Sequence, residues 1–374
     1  MLTSGDLAPN FVLPDQDAQN LVLYGRRVAG SPVALAFCAG GENAAPLRAA
    51  LAHASKELDK AGIKLILVNR ESSTANAVFA AKDNIDFPLV SDLDGRLTSA
   101  YGIAVAADLN VGIVAMPSPQ PTIYLLNLNF KVICSLRFNH NAGNAATLGG
   151  QLALDIVERI AKAIPPTEPQ ELVGHPPVLI IPNVFEPAFC KRLIDLWESG
   201  GNAQTGFMRK IGDEGVEMFD DTIKMRRDHH IQDPEILREI DARFSRRVIP
   251  EISKCFNFNI TNLEGIKIGC YEAETQGHFS AHRDNTTPIT VNRRFAVTLN
   301  LNTGEYEGGH LWFPEYGPYL YRPPVGGAVV FSCSLLHEAK PITKGHRFVF
   351  VTFMYGEEDM REHLAHLKSV GRVA

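Results

Sequence analysis

The sequence predicts two domains of different class: an α/β unit over residues 1–165, and a β-rich barrel or jelly roll with packed helices over residues 178–374. Three observations predict this. In the first half, short apolar runs alternate with helical periods, the pattern of a parallel sheet covered on both faces. The connector at 166–177 is proline-rich, with five prolines in PPTEPQELVGHPP at 165–177, a composition that makes a semi-rigid linker. From residue 265 onward, six strand-like runs separated by glycine-rich turns replace the helical pattern, as in barrels and double-sheet jelly rolls.

The elements of the first unit follow in order. VALAF at 33–37 is a buried strand, and AAPLRAALAHASKELDKAG a helix stopped by Gly62. IKLILVN at 63–69 is a second buried strand. A helical stretch around ANAVFAAK, the short run FPLV and a helix near LTSAYGI come next. TIYLLN and KVICSLRF form two strands joined at a tight turn, and an amphipathic helix from Ala145 to Ile164 closes the unit.

In the second unit, VLIIPNVF at 178–185 is a strand with a turn, and EPAFCKRLIDLWESGG a helix ended by its glycines. Asp233 and Pro234 start a longer helix as N-cap and first helical residue, with a kink expected at Pro250. The six strands are GIKIGCYEA, HFSAHRD, RRFAVTLNLN, GGHLWFPE, GGAVVFSCS and RFVFVTFMY.

Composition narrows the function classes. The 374 residues are 45% hydrophobic and 21% charged, with formal net charge −6. That is globular composition, and without a basic block it disfavours nucleic acid and anionic membrane surfaces as partners. No apolar run of about 18 residues is present to span a membrane. The N-terminus lacks a basic segment followed by an apolar run, so no secretory signal is expected. The six cysteines are dispersed and form no CxxC pair. The default expectation is therefore a reducing cytoplasm, without disulfides or structural zinc.

His282-Arg283-Asp284 places a histidine and a carboxylate two residues apart in a strand-like run, on the same side of the chain. His337 lies 55 residues downstream, just past GGAVVFSCS, and can supply a third ligand. Two histidines and one carboxylate on one face of Fe(II) leave positions open for cosubstrate and dioxygen. Arg347, ten residues after His337, can hold a carboxylate bidentately, as the distal end of 2-oxoglutarate requires. Other histidines have simpler explanations. His278 and His282 are four apart like a zincin pair, but lie in a strand without the adjacent glutamate. His229 and His230, beside Arg226 and Arg227, suggest a solvated or substrate-facing edge. His310 either lines the pocket mouth or supports it from behind. Arg283 points away from the metal, toward substrate or a nearby acid.

Two resemblances follow from these motifs. Residues 1–165, with GDLAPNFVLPD, FPLVSDLDGRLTSAYGI and PTIYLLN, resemble the redoxin and peroxiredoxin branch of the thioredoxin-like fold. The resemblance implies a reactive cysteine in the loop after VALAF and a cis proline at Pro121. The loop reads FCAGGENAAPLR, with Glu42, Asn43, Ala44 and Ala45 where thioredoxins carry CxxC, and the Thr-x-x-Cys motif of peroxiredoxins is absent. Without a thiolate at the helix N-terminus this domain is expected to be redox-inactive, and Cys38 a small buried hydrophobe.

Residues 178–357 resemble the prolyl 4-hydroxylase-like branch of the 2-oxoglutarate/Fe(II)-dependent dioxygenases. The motifs are CYEAETQGHFSAHRD, LNLNTGEYEGGHLWFPE and GGAVVFSCSLLHEAKPITKGHRFVFVTF. The resemblance implies a double-stranded β-helix with Fe(II) on His282, Asp284 and His337. It also implies 2-oxoglutarate on Arg347, with Tyr271 lining the cosubstrate pocket, and L-ascorbate as reductant. The implied reaction couples decarboxylation of 2-oxoglutarate to hydroxylation of an unactivated C–H bond. A peptidyl or prolyl substrate, grasped by the thioredoxin-like domain, is one expectation. A free amino acid or other small metabolite, with the N-terminal domain making a homodimer, is a second. A non-catalytic binding scaffold is a third, which the intact ligand set opposes.

Overall fold

The computed structural model describes residues 1–103, 120–138, 144–164, 168, 171, 174–212 and 214–369. The chain divides into two compact units, Met1–Pro169 and Gln170–Ala374. Part of the proline-rich linker lies outside the described residues.

The first unit is built on a five-stranded sheet, ordered Leu89–Ser91, Lys64–Asn69, Val33–Phe37, Thr122–Leu126 and Val132–Arg137. The first three strands are parallel. The last two are antiparallel, so the sheet is mixed rather than wholly parallel. Strand alternation builds two cores. Val33, Leu35 and Phe37 face one, with Tyr101 and Tyr124. Ala34 and Ala36 face the other, under the helices Ala45–Lys60 and Ala145–Ala163. The alanines let those helices sit close, and Gly149 lets the helices meet: a Cβ there would lie 2.6 Å from the His53 Cβ.

The proline expected to be cis is not. No cis peptide bond occurs among the described residues. Pro121 instead enters the strand Thr122–Leu126 with its carbonyl accepting from the Phe138 N–H.

The second unit is a double-sheet β-sandwich with helices on one outer face. The larger sheet has seven antiparallel strands: Leu179–Ile181, Ala328–Ser332, Phe295–Asn300, His346–Tyr355, Asn262–Glu272, Arg227–His230 and Ala203–Gln204. The smaller has five: Lys224–Met225, His278–His282, His337–Ala339, Leu311–Trp312 and Leu320–Tyr321. The long strand His346–Tyr355 shows the logic. Phe348, Phe350 and Met354 pack with Phe189, Leu193, Phe244 and Ile252 of the helices. Arg347, Val351 and Phe353 turn the other way, into a cavity between the sheets. Two cores, one around Phe313 and Phe331 and one around Tyr271 and Tyr306, flank that cavity.

Pro250 does not kink a continuous helix. The helix Pro234–Arg247 ends, and a second, Ile249–Phe256, begins with Pro250 in its first turn, where a missing N–H costs nothing. The hairpin Phe207–Ile211/Glu214–Met218 and the helix Glu357–Ser369 are among the elements that escape the sequence pattern.

Candidate metal centre

The three candidate ligands converge. The ligand atoms of His282, Asp284 and His337 all lie within 4.8 Å of one another. His282 ends the strand His278–His282, and His337 opens its own short strand, His337–Ala339, instead of trailing the preceding one. The two strands pair, with His282 opposite His337. Asp284 falls just beyond the strand, pinned by its backbone N–H to the Cys333 carbonyl at 2.9 Å.

The ring orientations suit ligation. His282 Nδ1 contacts the Ser280 carbonyl at 2.7 Å, and His337 Nδ1 the Leu335 carbonyl at 3.0 Å. A carbonyl only accepts, so each Nδ1 carries the proton and each Nε2 keeps its lone pair. Those Nε2 atoms lie 3.5 and 3.4 Å from the two Asp284 carboxylate oxygens. Phe279 stacks on His282, with ring centroids 3.5 Å apart. Burial lowers the His337 imidazole to about 4, against the pull of Asp284, so the ring is neutral as a ligand must be. Burial pushes the Asp284 carboxyl up, but His337, His282 and Arg293 together pull it below the ordinary carboxylate range.

The cavity holding these groups measures about 570 Å³. Arg347 reaches it from the larger sheet and is 3% exposed. One terminal nitrogen donates to Asn300 Oδ1 at 3.0 Å, while its Nε is buried without a partner. A buried, half-satisfied guanidinium is costly unless an anion completes it. Tyr271 lies opposite Arg347 in the strand register, under its guanidinium, and accepts a hydrogen bond from Arg226 at 3.2 Å. Gly309 leaves room for this arginine: a Cβ there would meet Arg347 Cδ at 2.9 Å and collide with Ile342.

The remaining candidates sort out as follows. Arg283 lines the cavity and pairs with Glu315 at 2.7 Å and with the Ser334 carbonyl. His310 is half-buried and is not among the residues lining the cavity. Burial, then Arg322 and Arg347, lower its basicity. Both His278 nitrogens face backbone carbonyls, of Gln276 and Thr222. In the first unit, Cys38 ends up beside Gly40, and burial pushes its thiol up to about 11.

The sequence reading missed a second polar group. The segment 224–230 crosses between the sheets: Lys224–Met225 pairs with the smaller, Arg227–His230 with the larger. Its alternation turns Met225, Arg227 and His229 to one side and buries Lys224, Arg226 and Asp228 on the other, where His230, the last residue of the strand, is exposed. The expected solvated edge is thus solvated on one side and at its end only. Arg226 grips Asp228 bidentately at 2.6 and 2.8 Å. Gly269 leaves room for that pair, since a Cβ there would lie 2.9 Å from both Arg226 Cδ and Asp228 Oδ1. The period-two spacing of Lys224, Arg226 and Asp228 was the available signal.

Residues 4–133 match the AhpC/TSA family, and residues 266–355 match the 2OG-Fe(II) oxygenase superfamily. A procollagen lysyl hydroxylase and glycosyltransferase of Acanthamoeba polyphaga mimivirus is 27% identical over 180 residues, 46% of this chain and 18% of that protein. A PKHD-type hydroxylase of a Synechococcus species is 28% identical over 117 residues, 29% of this chain and 51% of that protein. A chloroplastic peroxiredoxin Q of Triticum aestivum is 28% identical over 104 residues, 27% of this chain and 47% of that protein. The chain spans about half or less of each of these relatives. It carries a redoxin-type domain followed by a 2OG-Fe(II) oxygenase domain.

Proposed function

We propose that the chain is an Fe(II)- and 2-oxoglutarate-dependent dioxygenase that hydroxylates an unactivated C–H bond of a peptidyl substrate, prolyl by preference. The observation that carries the reading is one cavity holding both a two-histidine, one-carboxylate set and a buried arginine with an unpartnered nitrogen. The donor set suits a ferrous ion. Arg347 suits the distal carboxylate of 2-oxoglutarate, with Tyr271 beneath it. Bound together, iron and 2-oxoglutarate would activate dioxygen, the oxidant, one oxygen atom going to the substrate and the other to succinate, with carbon dioxide released.

The chain's own residues do the rest. His282, Asp284 and His337 fix the metal on one wall. Asn300 and Tyr271 hold Arg347 in place on the opposite sheet. The apolar lining, with Phe279, Leu311, Phe331 and Val351, keeps water away and strengthens the charged contacts. The polypeptide substrate is supported by the hydroxylase relatives and by the thioredoxin-like domain, whose fold suits extended chains. That domain serves binding rather than redox chemistry, because Cys38, the thiol just past the strand Val33–Phe37, is half-buried and held protonated. L-Ascorbate is assigned as the reductant and the cytoplasm as the compartment. Among the described residues no helix is long and apolar enough to cross a membrane. The test is anaerobic loading with Fe(II) and 2-oxoglutarate, then a screen of peptides and amino acids under air for substrate-stimulated succinate release. Stimulation by a peptide supports the reading; binding of neither metal nor 2-oxoglutarate refutes it.

A further inference from the structure

The cavity wall next to the metal centre holds more positive charge than its own acids neutralise. Three basic side chains line it together: Lys224, Arg226 and Lys267. One buried carboxylate, Asp228, answers all three. Arg226 takes both of its oxygens, and Lys267 Nζ stands 3.6 Å from one of them. Lys224 is 4% exposed, and its amino group donates to neutral groups, Thr205 Oγ1 at 2.8 Å and the Gly206 carbonyl at 2.6 Å. Thr205 in turn donates to Asp228. Of the other arginines of the lining, Arg283 is matched by Glu315 and Arg293 by Glu264, and Arg347 is the one assigned to the cosubstrate.

Neither metal nor cosubstrate removes the excess. Fe(II) adds charge that Asp284 only halves, and the two carboxylates of 2-oxoglutarate then balance that remainder and Arg347. Lys224 and Lys267 are left with Asp228, which Arg226 already occupies. Lys267 also stands four residues beyond Tyr271 on the same strand, roughly 13 Å along the sheet. A cosubstrate whose distal end is at Arg347 and Tyr271 therefore leaves Lys267 free for another group. Phe207, Met208, Ile223 and Phe279 border the same end of the cavity, an apolar surface beside the cations.

We propose that the substrate carries a carboxylate, received by Lys224 and Lys267 with an apolar portion against Phe207, Met208 and Ile223. The proposal rests on the dioxygenase reading for the identity of the neighbouring cosubstrate. Burial disfavours the charged form of Lys224 while the cavity is empty; a carboxylate that enters restores its proton and also pairs with Lys267, and is favoured over its neutral analogue. The carboxylate is either a free α-carboxylate or an aspartate or glutamate side chain within a peptide.

The full chain, loaded anaerobically with Mn(II) and 2-oxoglutarate, is titrated in a calorimeter with matched pairs of probes. N-acetyl amino acids and their carboxamides present the α-carboxylate. Blocked peptides containing Asp or Glu, against the same peptides with Asn or Gln, present the side-chain carboxylate. The expected result is one series in which the acid binds at least tenfold more tightly than the amide. That preference should fall to less than threefold in Lys267→Met and in Lys224→Met. Uptake of 2-oxoglutarate, measured first, reports separately on the cosubstrate site and on folding of each variant. If Lys224→Met does not fold, Lys267, which is less deeply buried, alone decides. Acids that bind no better than their amides in both series, or a preference that survives Lys267→Met, overturn the proposal. Failure of 2-oxoglutarate to bind the parent protein counts instead against the dioxygenase reading.

Discussion

His337 sits directly opposite His282 in the register of two short antiparallel strands, with ring centroids 4.3 Å apart. Each ring spends its Nδ1 proton on the carbonyl two residues earlier in its own chain. The pairing therefore fixes both position and tautomer, and Asp284 completes a donor set with no ring free to turn away.

Removing one donor should cost more than the roughly 10–100-fold in metal affinity that follows loss of an outer-shell partner. We expect His337→Ala, Asp284→Ala and His282→Ala each to abolish succinate formation. Equilibrium dialysis of Fe(II) under anaerobic conditions checks the cause directly. Metal binding unchanged in His337→Ala would remove this residue from the ligand set.

Arg347→Ala should raise the 2-oxoglutarate requirement at least tenfold, about 1.4 kcal/mol, within the range for hydrogen bonds to charged groups. Arg347→Lys should be milder, because it keeps the charge and loses the fork. Calorimetric titration with 2-oxoglutarate separates the two variants.

The stability of the ligand-free protein should rise with pH above about 6. Burial, with Arg226 adding repulsion, lowers the Lys224 ammonium from its ordinary range to about 6. Between that value and about 10.4, the unfolded value, the unfolded chain holds a proton that the folded chain does not. Stability contributed by this group is therefore lost as pH falls and regained as it rises. Lys224→Met should flatten the slope of melting temperature against pH between 6 and 10. An unchanged slope would mean that Lys224 keeps its proton when buried.

Two adjacent glycines of the helix Ala145–Ala163 should respond in opposite senses. Gly150 faces open space, so Gly150→Ala should stabilise the protein by about 0.5–1 kcal/mol through helix propensity. Gly149→Ala would press a methyl onto the Ala50 carbonyl and the His53 Cβ, and should destabilise by about 1–3 kcal/mol. Denaturant titration of both variants reads the difference.

Cys38→Ser should leave succinate formation intact, and the full chain should not consume peroxide with a thiol reductant. The thiol is pushed up to about 11 by burial and sits upstream of the helix that opens at Ala45. Peroxide consumption lost in Cys38→Ser would show a working redox site.

Much of this architecture was legible because its signals are local. VALAF and TIYLLN announce buried strands, and the spacing of His282, Asp284, His337 and Arg347 points to one pocket. What escaped depends on pairing between distant segments. The strand at His337 exists because His278–His282 provides an edge for it. Lys224, Arg226 and Asp228 look like part of a solvated, histidine-bearing edge until a segment that changes sheets turns them inward. Asn300 becomes an anchor only once its strand is laid beside that of Arg347.

The central claim is that one cavity binds Fe(II) at the triad and 2-oxoglutarate at Arg347. Anaerobic addition of Fe(II) and 2-oxoglutarate to the full chain should develop the visible charge-transfer absorption of a 2-oxo acid chelated to ferrous iron. It should be absent in His337→Ala and require at least tenfold more 2-oxoglutarate in Arg347→Ala. No absorption in the parent protein, or the same absorption at the same 2-oxoglutarate concentrations in both variants, would contradict the account.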